Sequence, residues 1–274
     1  MSIRLIATDL DGTLLRSDGS VSERSVGALR AAEDAGIVVV VATGRPPRWV
    51  QPVAERLEHT GMAICANGAV VVDLHTERVL EARPLSREIV LKVAEVIRSG
   101  VSGVAFAVET TSRGFGQEPG YHTHLDDFRN EPWIAPIEDL AADDVVKLLV
   151  RHEEMSPDEL LDMARALAGD VAELTHSSKS ALLEVSAAGV TKASTLARVA
   201  QSHGIDPEEV VVFGDMPNDL PMLAWAGEGY AMANAHPDVL AAAERFAPTN
   251  DEDGVAQVIE DLVLGQSRSD PLGP

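Results

Sequence analysis

The sequence has 274 residues, of which 45% are hydrophobic and 24% charged, a composition typical of globular rather than disordered proteins. Its formal net charge of -22 argues against nucleic acid or an anionic membrane surface as the main partner. No apolar run reaches the roughly 18 residues that a membrane span needs, and the N-terminus lacks the pattern of a secretory signal. We therefore expect a cytoplasmic protein with one large α/β domain or two domains.

The first part of the chain, residues 1–84, alternates short aliphatic runs with amphipathic helical patterns. This alternation predicts a parallel sheet covered by helices. We expect strands over 3–8, 37–42 and 62–66, and helices over 22–35 and 47–58. After the Asn67-Gly68 turn, two short β-rich runs follow over 69–73 and 78–83.

Residues 85–180 have a different character and predict a separate, inserted α/β domain. Helices are expected over 86–98 and 157–167 and strands over 104–109, 145–151 and 171–175, around an irregular stretch rich in glycine, histidine and aromatic residues. The first pattern returns over 181–265, beginning with a strand over 181–185, and residues 266–274 are expected to be a disordered tail. The fold class is therefore α/β: a Rossmann-like, doubly wound parallel sheet built from 1–84 and 181–265, with an inserted α/β domain of 85–180.

Two carboxylates, Asp9 and Asp11, come directly after the first predicted strand and are followed by Gly12 and Thr13. Ligands of open parallel sheets bind beyond the carboxyl ends of the strands, so both side chains are at the right place for a site. An isolated pair of this kind is equally well explained as a helix cap or a tight turn.

Three more segments stand at predicted strand-to-helix or loop-to-helix junctions. Thr43 and Gly44 follow the second strand, where a hydroxyl and free helix amides can hold a phosphate. Lys192 begins a helix, where a cation opposes the helix dipole unless it meets an anion. The GDMPND segment supplies Asp215, Asn218 and Asp219, whose oxygen atoms suit Mg²⁺. Each segment alone has an ordinary explanation as a cap or surface residue, but four such coincidences predict a common site.

In this order, the four segments resemble the motifs of the haloacid dehalogenase-like hydrolase superfamily: DLDGTL, the Thr43 segment, Lys192 and GDMPND. The insert between the second and third motifs, together with the Asn67-Gly68 turn, resembles the Cof-type phosphatases with an α/β cap domain. The resemblance covers nearly the whole chain up to the tail. Many relatives have glycine after the motif lysine, where this sequence has Ala193.

The resemblance implies a phosphatase in which Asp9 attacks phosphorus and forms an aspartyl-phosphate. Asp11 would be the general acid for the leaving alcohol and then the base for water. It implies Mg²⁺ held by the Asp9 carboxylate, the backbone carbonyl of Asp11 and Asp215. The expected phosphate ligands are Thr43, Gly44, Lys192, Asn218 and the amide of Leu10, with Asp219 orienting Lys192 or a metal-bound water.

The expected substrate is a sugar phosphate or a similar small phosphorylated metabolite, selected by the cap domain. Candidate substrate contacts are Arg45 and Asn67 in the core and Glu109, Arg113, Tyr121, His122, His124 and Arg129 in the cap. A histidine pair of this kind is more often part of a polar surface than a ligand. A phosphomutase and a non-catalytic phosphate-sensing protein remain as alternatives, and the protein could be a monomer or a homodimer.

Overall fold

The structure is a computed structural model that describes residues 2–57, 61–121, 132–176 and 182–269, with side chains described as far as residue 263. The chain forms two compact units. The first consists of Met1–Leu80 and Lys192–Pro274, and the second of Glu81–Thr191. Each unit has its own sheet and its own hydrophobic core.

The secondary structure alternates strands and helices along most of the chain. The strands are β1 (Leu5–Thr8), β2 (Val38–Ala42), β3 (Met62–Cys65), β4 (Val70–Asp73), β5 (Arg78–Ala82), β6 (Ala105–Thr110), β7 (Gly114–Gln117), β8 (Trp133–Ile134), β9 (Val145–Arg151), β10 (Ala172–Thr175), β11 (Leu182–Ala187), β12 (Val210–Gly214), β13 (Glu228–Met232) and β14 (Arg245–Ala247). The helices are α1 (Glu23–Asp34), α2 (Pro47–Leu57), α3 (Arg87–Gly100), α4 (Ile137–Leu140), α5 (Pro157–Ala168), α6 (Lys192–Ser202), α7 (Leu220–Trp225), α8 (Pro237–Ala242) and α9 (Gly254–Ser269).

The first unit is built on an eight-stranded sheet in the order β14-β13-β12-β1-β2-β3-β4-β5. The strands from β14 to β3 are parallel, and β4 runs antiparallel to β3. The central strands β1, β2 and β12 are aliphatic and buried almost throughout, because helices cover a parallel sheet on both faces. The Rossmann-like core expected from the sequence is confirmed.

The second unit contains a six-stranded sheet in the order β10-β11-β9-β6-β7-β8. Its strand pairs are antiparallel apart from β7 and β8. The aliphatic side chains of α3 and α5 pack with those of the sheet into a core of their own, which includes Val93, Ile97, Leu160, Leu148 and Val185. The predicted insert is therefore a mixed α/β unit.

The sequence assigned the strand over 181–185 to the core, and this assignment is wrong. The strand, β11, pairs with β9 and β10 of the second sheet, and its Leu183 and Val185 are buried in the second core. Aliphatic residues alternate in β11 in a way that suits either sheet, so the pattern alone does not choose the partner.

Two further expectations need correction. The stretch after β6 that was expected to be irregular contains β7 and β8. The polar tail was expected to be disordered from residue 266, but α9 continues to Ser269, and residues 270–274 lie outside the described part of the chain. Among the described residues, every helix is too short or too polar to span a bilayer.

Candidate active site

The predicted site residues of the first unit lie at the carboxyl ends of neighbouring parallel strands. Asp9 follows β1, Thr43 follows β2 and Asp215 follows β12, while Lys192 opens α6. Because β12, β1 and β2 are adjacent and parallel, their ends meet at one edge of the sheet. The backbone amide of Asp9 donates to the carbonyl of Phe213 at 3.1 Å, which ties the end of β1 to that of β12.

Lys192 joins two buried carboxylates. Its Nζ lies 3.0 Å from Oδ1 of Asp9 and 2.7 Å from Oδ1 of Asp219, and the lysine is only 1% exposed. A buried cation needs such partners because the interior solvates a charge poorly. A lysine in the first turn of a helix is disfavoured by the helix dipole, and here the ion pairs with Asp9 and Asp219 offset that effect.

Asp219 uses both of its oxygens within the protein. Oδ1 accepts from Lys192, and Oδ2 accepts from the backbone amides of Asp215 and Met216, each at 3.0 Å. Gly214 makes room for it, because a Cβ at that position would lie 2.5 Å from the Asp219 Cβ. Asp219 therefore orients the lysine and the turn that carries Asp215.

Asp215 is held by the loop that follows Asp9. The hydroxyl of Thr13 donates to its Oδ1 at 2.8 Å. Gly12 adopts a φ of +75°, and a Cβ there would lie 2.3 Å from Oδ2 of Asp215. The glycine after Asp11 is thus required both by the backbone conformation and by the close carboxylate.

The electrostatics of the cluster follow from burial and charge. Burial raises the pKa of Asp9 well above its usual value; Lys192 opposes this shift, and Asp219 and Asp215 reinforce it. Burial, reinforced by Asp219, raises the pKa of Asp215 to about 7. Burial would by itself lower the pKa of Lys192, but Asp219 and Asp9 outweigh it and hold that pKa above its ordinary value.

The donor set of the cluster fits a divalent cation. One oxygen from each of Asp9, Asp215 and Asp219 lies within 4.8 Å of the others. Three buried carboxylates against one lysine leave an excess of negative charge, and carboxylate oxygens are the ligands that Mg²⁺ prefers. Nearby, Oδ1 of Asn218 is buried with no hydrogen-bond partner among the described residues. This amide oxygen is therefore available to bind a cation or to accept a hydrogen bond.

The second motif is tied to the turn that follows β3. The backbone amide of Asn67 donates to the carbonyl of Thr43 at 3.1 Å, and Ala66 does the same to Arg45 at 2.9 Å. Both Ala66 and Asn67 have a left-handed backbone, with φ of 50° and 55°, a strained conformation that is common at functional sites. The side chain of Asn67 accepts from Asn218 Nδ2 at 3.0 Å and so orients that amide.

A comparison with known proteins identifies the family. A sequence model of the haloacid dehalogenase-like hydrolases matches residues 6–259. The chain belongs to this family. The resemblance drawn from the motifs is confirmed, and the chain is accordingly an enzyme of the haloacid dehalogenase-like phosphatase type.

Individual relatives of the family cover nearly the whole chain. The chain is 32% identical to the 5-amino-6-(5-phospho-D-ribitylamino)uracil phosphatase YcsE of Bacillus subtilis, over 96% of this chain and 97% of YcsE. It is 28% identical to the pyridoxal phosphate phosphatase YbhA of Escherichia coli, over 94% and 98%. The solved structure of BT1666 from Bacteroides thetaiotaomicron, described among phosphatases of this superfamily, has a TM-score of 0.80 and 26% identity over 95% of both chains.

The general acid expected from the family motif, Asp11, is paired with Arg45. Nε of Arg45 donates to Oδ2 of Asp11 at 2.7 Å, and Nη2 donates to Oδ1 at 2.5 Å. The Asp11 side chain is 52% exposed, unlike the buried cluster around Asp9. Arg45, expected as a substrate contact, is thus a partner of Asp11 in this structure.

The candidate substrate contacts of the second unit have separate environments. Glu109 is buried, and its neighbour across the sheet is Lys147, which forms a buried ion pair with Glu184. Arg113 lies over the ring of Trp133, with 3.7 Å from its Cζ to the ring centroid. Tyr121 is buried against the sheet. The remaining candidates, His122, His124 and Arg129, lie outside the described residues.

Sequence analysis missed several residues of each unit that make specific polar contacts. Lys147 and Glu184 carry no motif and look like ordinary strand residues. Asn234 and Asn250 hold the loop after Asp11 through its backbone carbonyls. A carbonyl partner leaves no side-chain pattern, so the sequence gives no local signal for either asparagine.

Proposed function

We propose that the protein is a cytoplasmic, Mg²⁺-dependent phosphatase that hydrolyses phosphate monoesters of small metabolites through an aspartyl-phosphate on Asp9. The observation that supports this function is the buried cluster of Asp9, Asp215 and Asp219, in which Lys192 pairs with Asp9 and Asp219. Asp9, Asp215 and the backbone carbonyl of Asp11 would hold the cation. When bound, it reduces the repulsion between a carboxylate and a phosphate dianion.

Asp9 is the nucleophile of the proposed reaction. Lys192 contacts its Oδ1, so Oδ2 attacks phosphorus while the ester bond to the leaving alcohol breaks. Water then attacks the phosphorus of the aspartyl-phosphate and releases inorganic phosphate and the free carboxylate. The fixed position of Asp9 at the end of β1 favours an in-line approach.

Asp11 transfers the proton in both steps. It donates a proton to the oxygen of the leaving alcohol in the first step, and it takes a proton from water in the second. Its exposure leaves the side chain free to reach a bound ester once it has separated from Arg45.

The phosphate oxygens are bound by groups gathered from three motifs. The hydroxyl of Thr43 is buried at the end of β2, and the amides of Leu10 and Gly44 belong to the turns beside it. Lys192 and Asn218 complete the set of donors. These donors stabilise charge on the equatorial oxygens during transfer.

The relatives point to a class of substrate rather than to one compound. YcsE and YbhA are named for a ribitylaminouracil phosphate and for pyridoxal phosphate, both of which are small phosphorylated metabolites. Their identities to this chain are similar, so both compounds belong in a substrate panel together with sugar phosphates.

The test is phosphate release from this panel with Mg²⁺, with chelator, and with the variants Asp9→Asn and Asp11→Asn. We expect release that requires both the metal and Asp9. Lys92→Met, a substitution of an exposed lysine outside the buried cluster, should leave release unchanged. Absence of metal- and Asp9-dependent release from every compound would contradict the proposal. Turnover that appears only with a hexose bisphosphate, and without free phosphate, would indicate a mutase instead.

A further inference from the structure

The loop that follows the nucleophile position is held by the C-terminal part of the chain. Nδ2 of Asn234 donates to the carbonyl of Gly12 at 2.7 Å, and Nδ2 of Asn250 donates to the carbonyl of Leu15 at 2.8 Å. Arg16 adds a bidentate pair with Asp253. These contacts join positions more than two hundred residues apart in the sequence.

The amide of Asn234 has a defined orientation. The backbone amide of Asn250 donates to Oδ1 of Asn234 at 3.0 Å. Since Oδ1 is the acceptor of this bond, Nδ2 must be the group that faces Gly12. Asn250 itself is 5% exposed and lies in the short helical turn Asn250–Glu252, which a capping box between Thr249 and Glu252 stabilises.

The peptide between Gly12 and Thr13 is the part of the loop that Asn234 fixes. Its carbonyl accepts from Asn234 at 2.7 Å, whereas its amide makes a longer bond of 3.3 Å to the carbonyl of Leu10. The shorter bond, made by a side chain outside the loop, therefore restrains the orientation of this peptide more strongly.

This peptide in turn positions Asp215. The hydroxyl of Thr13 donates to Oδ1 of Asp215, and Gly12 lies directly against Oδ2 of the same carboxylate. A rotation of the Gly12–Thr13 peptide would move both contacts at once. The path from Asn234 to the Asp215 carboxylate thus runs through one peptide group and one hydroxyl.

We propose that Asn234 is a positioning residue for the cation site: through the Gly12–Thr13 peptide it holds the Asp215 carboxylate in the orientation that binds a divalent ion. The inference rests on the proposed function in one respect, the assignment of Asp215 as a metal ligand. Residues that orient metal ligands by hydrogen bonds affect metal affinity even though they do not touch the metal.

The test is the affinity of the protein for Mg²⁺ and Mn²⁺, measured by calorimetry without substrate. Asn234→Ala removes the donor, and Asn234→Leu removes it while keeping the size of the side chain. We expect both variants to bind the ions about tenfold more weakly, at the lower end of the range for residues that orient metal ligands. Because Asn234 is exposed, we expect both to fold.

Glu260→Gln is the matched control. It breaks the ion pair between Arg24 in α1 and Glu260 in α9, another contact between the two ends of the first unit, without touching the loop. We expect wild-type ion affinity from it. The melting temperature of each variant, measured in chelator, distinguishes a general loss of stability from a specific loss of ion affinity. A general loss of stability would lower the melting temperature but leave the ion affinity unchanged.

The outcomes distinguish the two proposals. If the wild-type protein binds the ions and both Asn234 variants bind them equally well, the positioning role is overturned while the phosphatase proposal stands. If the wild-type protein binds neither ion, the metal assignment fails and this inference fails with it. Weaker binding by both Asn234 variants, with the Glu260→Gln control unchanged, supports the positioning role.

Discussion

Arg45 holds the carboxylate of Asp11 by two hydrogen bonds, at 2.7 Å from Nε to Oδ2 and at 2.5 Å from Nη2 to Oδ1. Both oxygens of the carboxylate therefore accept hydrogen bonds from the guanidinium, which is the bidentate geometry that arginine favours. In this arrangement both oxygens face the guanidinium rather than a leaving group. In the proposed reaction, Asp11 has to separate from Arg45 before it acts.

The substitution Arg45→Met tests this separation. A partly exposed ion pair contributes about 0.2–1 kcal/mol, so removing it raises the rate of proton transfer by at most about fivefold. We expect kcat for alkyl phosphates, whose leaving groups need a proton, to stay at the wild-type value or rise within that limit. We expect no change for p-nitrophenyl phosphate, whose leaving group needs none.

Asp11→Asn provides the comparison for Arg45→Met. It removes the acid itself, and we expect kcat for alkyl phosphates to fall by a factor of about 10²–10⁴, with a smaller loss for p-nitrophenyl phosphate. If Arg45→Met also lowered kcat for alkyl phosphates more than kcat for p-nitrophenyl phosphate, the arginine would assist proton transfer by Asp11 rather than hinder it.

Gly12 and Gly19 make a matched pair for testing the loop beside Asp215. Both have a φ of +75°, but a Cβ at Gly12 would lie 2.3 Å from Asp215 Oδ2, whereas a Cβ at Gly19 would meet nothing within 4 Å. Alanine at either position costs about 1–2 kcal/mol of backbone strain. We expect Gly12→Ala alone to lose Mg²⁺ affinity in calorimetry, because only there does the new methyl group displace the carboxylate.

The ion affinities of Gly12→Ala and Gly19→Ala can also contradict a specific effect on Asp215. Equal losses of ion affinity in Gly12→Ala and Gly19→Ala would assign the effect to backbone strain in the loop. Unchanged affinity in Gly12→Ala would mean that Asp215 does not depend on the close approach of the loop.

The sequence predicted those parts of the candidate site that follow directly from the topology of a parallel sheet. Asp9, Thr43 and Asp215 each come directly after a buried strand, and the pairing of β12, β1 and β2 brings the strand ends together. No information beyond the strand pattern was needed to expect them at one edge. Lys192 was harder, because a helix-opening lysine is usually a surface residue.

The parts that sequence reasoning missed depend on contacts between distant segments. Asn234 and Asn250 meet backbone carbonyls more than two hundred positions away, and a carbonyl is the same at every residue. The partner of β11 was misassigned for a related reason, since its alternating aliphatic residues suit both sheets. In each case the local sequence pattern was compatible with the observed contact but did not specify which distant segment would form it.

Lys192→Met tests the charge balance of the buried cluster. The substitution leaves Asp9 and Asp219 buried without their cation, and losing one partner of a buried ion pair costs about 3–5 kcal/mol. We expect this loss in the free energy of unfolding, measured with denaturant in chelator at about pH 8, where Asp9 ionises more readily than at lower pH. The loss should shrink at about pH 5, where protonation of Asp9, whose pKa burial raises, removes part of the uncompensated charge.

Lys92→Met is the control for that measurement. Lys92 is exposed on α3, and substitutions at such positions change the free energy of unfolding by no more than about 0.5 kcal/mol. A Lys192→Met variant as stable as Lys92→Met at both pH values would show that Asp9 and Asp219 do not need the lysine as a counter-ion.

The binding of Mg²⁺ should depend on pH because of Asp215 and Asp9. Burial, with Asp219, raises the pKa of Asp215 to about 7, and burial raises the pKa of Asp9. The cation binds the ionised carboxylates, so below about pH 7 it must displace protons, and its affinity falls by about tenfold per pH unit for each proton displaced. Above that range the affinity should level off.

The protein without metal should show the opposite trend in stability. A carboxyl group whose pKa is higher in the folded than in the unfolded state binds its proton more tightly when folded. In chelator, the contribution of Asp9 and Asp215 to the free energy of unfolding should therefore decrease as the pH rises through about 7, and saturating Mg²⁺ should reverse this decrease. Calorimetry of Mg²⁺ binding in two buffers of different ionisation enthalpy measures the released protons directly. Affinity that is constant between about pH 6 and about pH 8, with no proton released, would show that Asp9 and Asp215 are already ionised before the metal arrives.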